Sequence, residues 1–270
     1  MTALEPFRYL SILAIIGLLF LAEQLLPLRT RRKPLLHRLS VNGFLSLLTL
    51  FTALSVVRPV TLSTLSWAKI NGFGLLQYLS FPAWMEAILG FLLLDLSFYY
   101  WHRLNHRIPF LWRFHNVHHF DPDMDVSTGF RFHFVEVALS ALFRALQMIA
   151  VGPTISLFLL YESVFQVVTY FHHSNLRLYG KLDRAMNFFM VTPCMHGIHH
   201  SDFQKETNSN YSVICSLWDR LHGTFRQQIP QSEIVIGVPG YSLDRDNRLP
   251  AVLLAPFVRQ KEYWKGRYIR

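Results

Sequence analysis

Two short stretches of this chain carry the same pattern: FHNVHHFD, with His115, His118 and His119, and MHGIHHSDF, with His196, His199 and His200. A third stretch, HRLNH, adds His102 and His106. Three five-residue windows thus hold eight of the 13 histidines, where random placement would put fewer than one. On a helix, residues at i, i+3 and i+4 share a face, with Cβ atoms about 5–6 Å apart. His102 and His106 can therefore converge on one metal ion. In each H-x-x-H-H the first histidine shares a face with the other two, which diverge from each other by about 100°. Adjacent histidines can then serve two neighbouring ions. Neutral imidazole suits iron, zinc, copper and nickel, and protonated imidazoles at this density would repel one another. One such histidine would be read as an ordinary core or surface residue; the set is expected to bind metal.

The remaining histidines divide. His133 in GFRFHFVEV and His173 in YFHHSNLRL lie at the ends of apolar segments and are expected to join the ligands. His172, beside His173, stays open between ligand, supporting donor and surface residue. His37 sits among loop cations and is expected to be solvated, and His222 in WDRLHGTF to be structural. Cys194 and Cys215 form no CxxC pair and suggest no disulfide framework. Both are expected to be inert thiols, with Cys194, two residues before His196, a weak ligand candidate.

The elements that must position these residues are membrane helices. The chain is 51% hydrophobic and 16% charged, against about 25% charged in a typical soluble domain. Its net charge of +9 would suit nucleic acid or an anionic membrane surface; long apolar runs and the lack of a nucleic-acid motif favour the membrane. A span needs roughly 20 apolar residues, and the stretches 7–26, 41–60, 83–102, 134–152 and 154–171 qualify, the last two joined as a hairpin at Gly152-Pro153. The first is expected to be an uncleaved anchor, because its apolar run is too long for a signal peptide and its positive charge follows it, in RTRRK. That loop carries Arg29, Arg31, Arg32, Lys33 and Arg38 with no acidic residue, so it should be cytoplasmic. Every histidine-rich stretch then falls on the same, cytoplasmic face.

The expected fold is all-α: a multi-pass transmembrane helical bundle with a cytoplasmic, histidine-rich helical cap. Charges inside spans are costly and often functional. Asp95, seven residues before His102, is expected either to orient a ligand imidazole or to make a polar contact between helices. Arg144 and Glu162 lie at similar distances from the hairpin tip and are expected to pair, joined by Gln147 or Gln166. Phe98, Tyr99, Tyr100 and Trp101 could line an apolar channel or form an interfacial belt.

HRLNH, HNVHH and HGIHH resemble, in order and spacing, the three histidine boxes of the fatty acid hydroxylase/sterol desaturase superfamily. DLSFYYWHRLNH, RFHFVEV, FHHSNLRL and LWDRLHGTF support the resemblance, which runs from about residue 90 to 226; Phe134 stands where the family usually has Pro, and His172 where relatives often have Gln. The resemblance implies a membrane-bound non-haem di-iron oxidoreductase that uses O2 to hydroxylate or desaturate a lipid. Carried over residue by residue, it implies as metal ligands His102, His106, His115, His118, His119, His133, His173, His196, His199 and His200, holding two iron ions. Expected regions are N-terminal transmembrane segments over 1–82, a di-iron catalytic domain over 83–230 and a C-terminal tail, 231–270, packed on the cap. The expected partners are a lipid substrate, the membrane and a separate electron-donor protein, since no haem, flavin or iron–sulfur motif is evident; nucleic acid is not expected. The alternative is a metal-handling membrane protein or a zinc hydrolase without O2 chemistry. Transporters place ionisable ligands near the bilayer midplane and zinc hydrolases need about three protein ligands, so neither matches eight to ten histidines at one membrane edge.

Overall fold

A computed structural model describes residues 5–79, 81–261 and 264. Residues 1–4, 80, 262, 263 and 265–270, which belong to the expected N-terminal segments and C-terminal tail, lie outside the described residues. The fold is all-α: among the described residues there are isolated bridges but no β-strand. Five helices are long and apolar enough to cross a membrane. In hydrocarbon every backbone N–H and C=O must be paired within the chain, and these Leu-, Phe- and Ile-rich runs satisfy that as helices.

Helix α1 is Glu5–Leu25. The second element, α2, is longer than the 41–60 expected: Leu35–Thr52 runs on through the π-helical turn Ala53–Val57 into Arg58–Ile70 without a break. At 1.5 Å per residue it is roughly 54 Å long, well beyond the 30 Å of hydrocarbon. Two things hid its length. Pro59 looks like a helix end, because its ring would clash with the carbonyl four residues back, but the wider π turn absorbs that clash. The other is that its first turns belong to the cap, where polar residues broke the apolar run.

Helix α3 (Ala83–Arg107) descends to the cap and α4 (Pro109–His119) turns across it. Pro109 pushes the preceding residue out of the helical region, and Ile108 sits at φ −93°, ψ 115°. Helices α5 (Phe134–Val151) and α6 (Ile155–His173) form the expected hairpin. Its tip needs glycine twice: Gly152 ends α5 at φ 63°, and Gly74 lies so close that a Cβ there would sit 2.5 Å from the Gly152 Cα. Short helices α7 (Gly180–Phe189) and α8 (Pro193–His199) complete the cap. Across the hairpin Arg144 pairs with Glu162, as expected, and Gln147 donates to Leu94 O at 3.1 Å and Ser97 Oγ at 2.6 Å.

Where the helices reach the cap, a buried polar seam ties them together. The Arg38 guanidinium binds Asp121 at 2.8 and 2.9 Å and also reaches Asp125. Asn42 donates to Asp121 and Ser127, and Arg131 donates to Asn42, Val117 O and Asn247. Burial pushes the Asp121 carboxyl up, but Arg38 and Arg131 outweigh it and hold the group at about 2. Glu23, near the end of α1, accepts from the backbone N–H groups of Val126 and Asn175. Residues Val238, Tyr241, Val252 and Ala255 pack with Val41, Leu45, Val117 and Phe120 beside this seam.

Removing one partner of a buried ion pair costs about 3–5 kcal/mol, whereas an exposed pair is worth less than about 1 kcal/mol. Arg38→Met should therefore lower the thermal midpoint of the purified protein sharply. Lys33→Met, which breaks the exposed pair with Asp244, should leave it almost unchanged. Equal midpoints for the two variants would show that the seam does not hold the cap.

Candidate metal centre

Two short helices and the ends of two long ones bring the histidines together. The C-terminal end of α3 carries His102 and His106, and α4 carries His115, His118 and His119. Helix α6 ends in His172-His173. Helix α8 starts with Thr192, whose side chain accepts from Met195 N–H, and with Pro193 in its first turn, where the missing N–H is harmless. It presents His196 and His199, with His200 at its end.

Nine of the ten predicted ligands form two groups, in each of which the candidate donor atoms lie within 4.8 Å of one another: His102, His106, His115, His119 and His199 in one, His118, His173, His196 and His200 in the other. Helix geometry explains the division. Each H-x-x-H-H gives its i, i+4 pair to one group and its i+3 residue to the other. His115 and His119 go one way and His118 the other; His196 and His200 go together and His199 crosses. The motif is written twice because each copy serves both groups, in opposite shares.

Hydrogen bonds set the tautomers. His102 Nδ1 lies 2.8 Å from Tyr211 O, His199 Nδ1 2.7 Å from Ser209 O, His173 Nδ1 2.7 Å from Thr169 O, and His118 Nδ1 3.2 Å from Arg131 O. A carbonyl only accepts, so each Nδ1 carries the proton and each Nε2 presents a lone pair. His115 Nδ1 is held in the same way by the Glu136 carboxylate at 2.7 Å. Yet the Nε2 atoms of His102 and His199 lie 3.0 Å apart, as do those of His118 and His173. Lone pairs at that distance repel unless a cation draws both. His106, His119 and His200 are left with no protein partner on either ring nitrogen. The donor set therefore fits two metal ions, with carbonyls and one carboxylate as the outer support that metal-bound imidazoles generally have.

Electrostatics agree. Burial, followed by the neighbouring imidazoles, pushes His118, His119, His196, His199 and His200 well below the ordinary histidine value. They are neutral donors at pH 7. The Cys194 thiol, pushed up to about 12 chiefly by burial, belongs to neither group.

Other expected residues fall elsewhere. His133 is outside both groups: it caps α5, accepting from Val135 N–H at Nδ1, and its Nε2 lies 3.2 Å from Leu253 O. Asp95 touches no imidazole. It accepts from Ile214 N, Cys215 N and Trp218 Nε1, which fastens α3 to the segment after the third box. The contact reading holds for it and the ligand-orienting reading does not. His172 is buried against His196, with ring centroids 4.1 Å apart, yet is in neither group. His37 is exposed. His222 is structural, stacked on Tyr99 and bonded to Trp218 O and the Tyr100 hydroxyl.

A cavity of about 100 Å³ opens beside the imidazoles. Its apolar wall is Phe98, Trp101, Phe132, Phe165 and Val213, and its polar edge includes Asn105, Glu136, Thr169 and His172. Of the four aromatic wall candidates, Phe98 and Trp101 line it, while Tyr99 and Tyr100 pack towards His222. Glu136, Phe165 and Thr169 were not singled out from sequence. Phe165 and Thr169 precede His173 by eight and four residues, so helical spacing from a predicted ligand would have found both.

An unfolded imidazole binds its proton near 6.5, whereas these buried ones do not. Below that pH the unfolded state holds more protons, so stability falls as pH falls. The thermal midpoint of chelator-treated protein should drop steadily from pH 7.5 to 5.5. A flat profile would show that the histidines are not buried as neutral groups.

The sequence is similar to those of known proteins. The family model described as Fatty acid hydroxylase matches residues 87–224, half of the chain and all three boxes. The ornithine lipid hydroxylase OlsE of Rhizobium tropici is 28% identical over 241 residues, covering 86% of this chain and 70% of that protein. Cholesterol 25-hydroxylase of Rattus norvegicus is 30% identical over 191 residues, 66% of this chain and 59% of the relative. Alkylglycerol monooxygenase of Homo sapiens is 26% identical over 156 residues, 57% of this chain and 33% of the relative, so this chain spans about a third of that protein's length. No solved structure matches. With its three histidine boxes inside the matched segment, the chain belongs to the fatty acid hydroxylase family, within the fatty acid hydroxylase/sterol desaturase superfamily.

Proposed function

We propose that this protein is a membrane lipid hydroxylase, an oxidoreductase that uses O2 and two iron ions to convert a lipid C–H bond to C–OH. The observation that carries this reading is the pair of adjacent imidazole groups, neutral and buried, beside an apolar cavity. One group of five and one of four would each hold one ion, with His102, His106, His115, His119 and His199 as ligands of the first and His118, His173, His196 and His200 of the second. Iron there would supply the power to break an unactivated C–H bond with O2, which no side chain has. One oxygen atom ends in the product and the other in water, with two electrons and two protons consumed. The electrons come from a separate electron-donor protein.

The chain's own residues do the rest. Carbonyls of Tyr211, Ser209, Thr169 and Arg131 hold four imidazoles by their Nδ1 protons, and Glu136 holds His115. Phe98, Trp101, Phe132 and Phe165 keep water from the cavity and align a hydrocarbon chain against the imidazoles. The relatives are named as an ornithine lipid hydroxylase, an alkylglycerol monooxygenase and a cholesterol 25-hydroxylase, which favours hydroxylation over desaturation. Residues 83–230 form the catalytic region, preceded by transmembrane segments over 1–82 and followed by 231–270, with the histidine face cytoplasmic beside RTRRK. Nine imidazoles in two groups exceed what a zinc hydrolase needs.

Purified protein should contain about two iron ions per chain and consume O2 when reduced. Cells expressing it should accumulate a lipid one oxygen atom heavier than its precursor, and His199→Ala should abolish the product. Zinc as the bound metal, with no O2 uptake under reductant, would overturn the reading.

A further inference from the structure

The two imidazole groups are unequal, and the inequality points to a residue on α6. Helix α3 supplies its group with an i, i+4 pair, His102 and His106. Helix α6 supplies the other group with His173 alone, and the residue four positions earlier is Thr169. On the face where a second imidazole would project, the chain places a hydroxyl.

That hydroxyl behaves unlike its neighbours in the membrane helices. Thr52, Ser55, Thr61, Thr64 and Ser163 each donate to the carbonyl four residues back, the usual resting place for a helical hydroxyl. Thr169 is buried at 8% exposure, and its Oγ1 has no protein partner. Leaving a buried hydroxyl unsatisfied is unfavourable, so its partner is something that enters the cavity. Thr169 lines that cavity together with His118, His173 and His196, three of the four members of the smaller group, whereas the larger group contributes only His102 and His115. The side of the centre that is one imidazole short thus gives the cavity the larger share of its members, three of four against two of five.

We infer that Thr169 is a positioning residue for the four-imidazole group: its hydroxyl hydrogen-bonds a small polar ligand, water or an anion, held at that metal where α6 has no histidine four residues before His173, His172 beside it lying outside the group. The backbone carbonyl of Thr169, through the 2.7 Å bond from His173 Nδ1, also aims the ligand imidazole. One residue would thus orient both an imidazole and the small ligand. The inference rests on the proposed iron centre, and the two can fail separately.

The test is azide binding to oxidised, iron-loaded protein, followed by its charge-transfer absorption, with wild type, Thr169→Val and Thr169→Ser compared at matched iron content. Losing one hydrogen bond to a charged ligand should weaken azide binding by about tenfold in Thr169→Val, and Thr169→Ser should restore it. The ratio of peroxide released to lipid hydroxylated should rise in Thr169→Val and return in Thr169→Ser. If Thr169→Val does not keep its iron, Thr169→Ala carries the same comparison against Thr169→Ser. Wild-type affinity in the hydroxyl-free variant would overturn the role of Thr169. Iron-loaded wild type with no azide band would likewise overturn the inference, whereas wild type that takes up no iron would instead sink the iron centre on which it rests.

Discussion

The structure is organised around an unfavourable contact. Two imidazole nitrogens that both present lone pairs stand 3.0 Å apart, between His102 and His199 and again between His118 and His173. Neither ring can rotate its proton into the gap, because each Nδ1 proton is committed to a backbone carbonyl. Protonation gives no relief either, since burial and neighbouring imidazoles oppose a positive charge. What satisfies all of these demands is a cation that takes both lone pairs. The remaining framework keeps the rings from escaping one another by other means.

That framework works from outside inwards. The membrane helices deliver their cap-side ends to one level, and the Arg38–Asp121–Asp125 seam joins α2 to the segment between α4 and α5. Asp95 performs the equivalent task deeper in the bundle, tying α3 to residues 214–218. The carbonyls of Tyr211 and Ser209, which fix two imidazoles, lie just before that tied stretch. Asp219 completes this arrangement at one remove, accepting from the N–H of Tyr211, whose carbonyl holds His102. Glu136 touches an imidazole ligand, His115, directly.

Much of this was legible in the sequence, for identifiable reasons. The hairpin was visible because Gly152-Pro153 interrupts an otherwise apolar run, and Arg144 with Glu162 because equal distances from that tip give equal depth. The divergence of adjacent histidines followed from about 100° per residue, and the structure separates His118 from His119 and His199 from His200 accordingly. Long-range partners were not legible. Nothing within a few residues of Asp95 indicates that its partners lie some 120 positions later, and the spacing of His133 from the boxes does not reveal that its ring caps a helix. The length of α2 was hidden because polar residues in the cap interrupted hydropathy without interrupting the helix.

The crossed sharing of ligands has a consequence for assembly. If α4 served one ion and α8 the other, each metal site could form on its own. Instead α4 gives two rings to the larger group and one to the smaller, and α8 does the reverse. Neither group is complete until both helices have docked, so metal binding stabilises the closed cap. Before metal arrives, the seam at Arg38 and the clamp at Asp95 must carry the cap against the repulsion among its imidazoles. This explains why so many buried charged groups sit outside the centre, in a region where each would otherwise be a liability. Their role is to make a metal-binding arrangement persist before the metal is there to stabilise it.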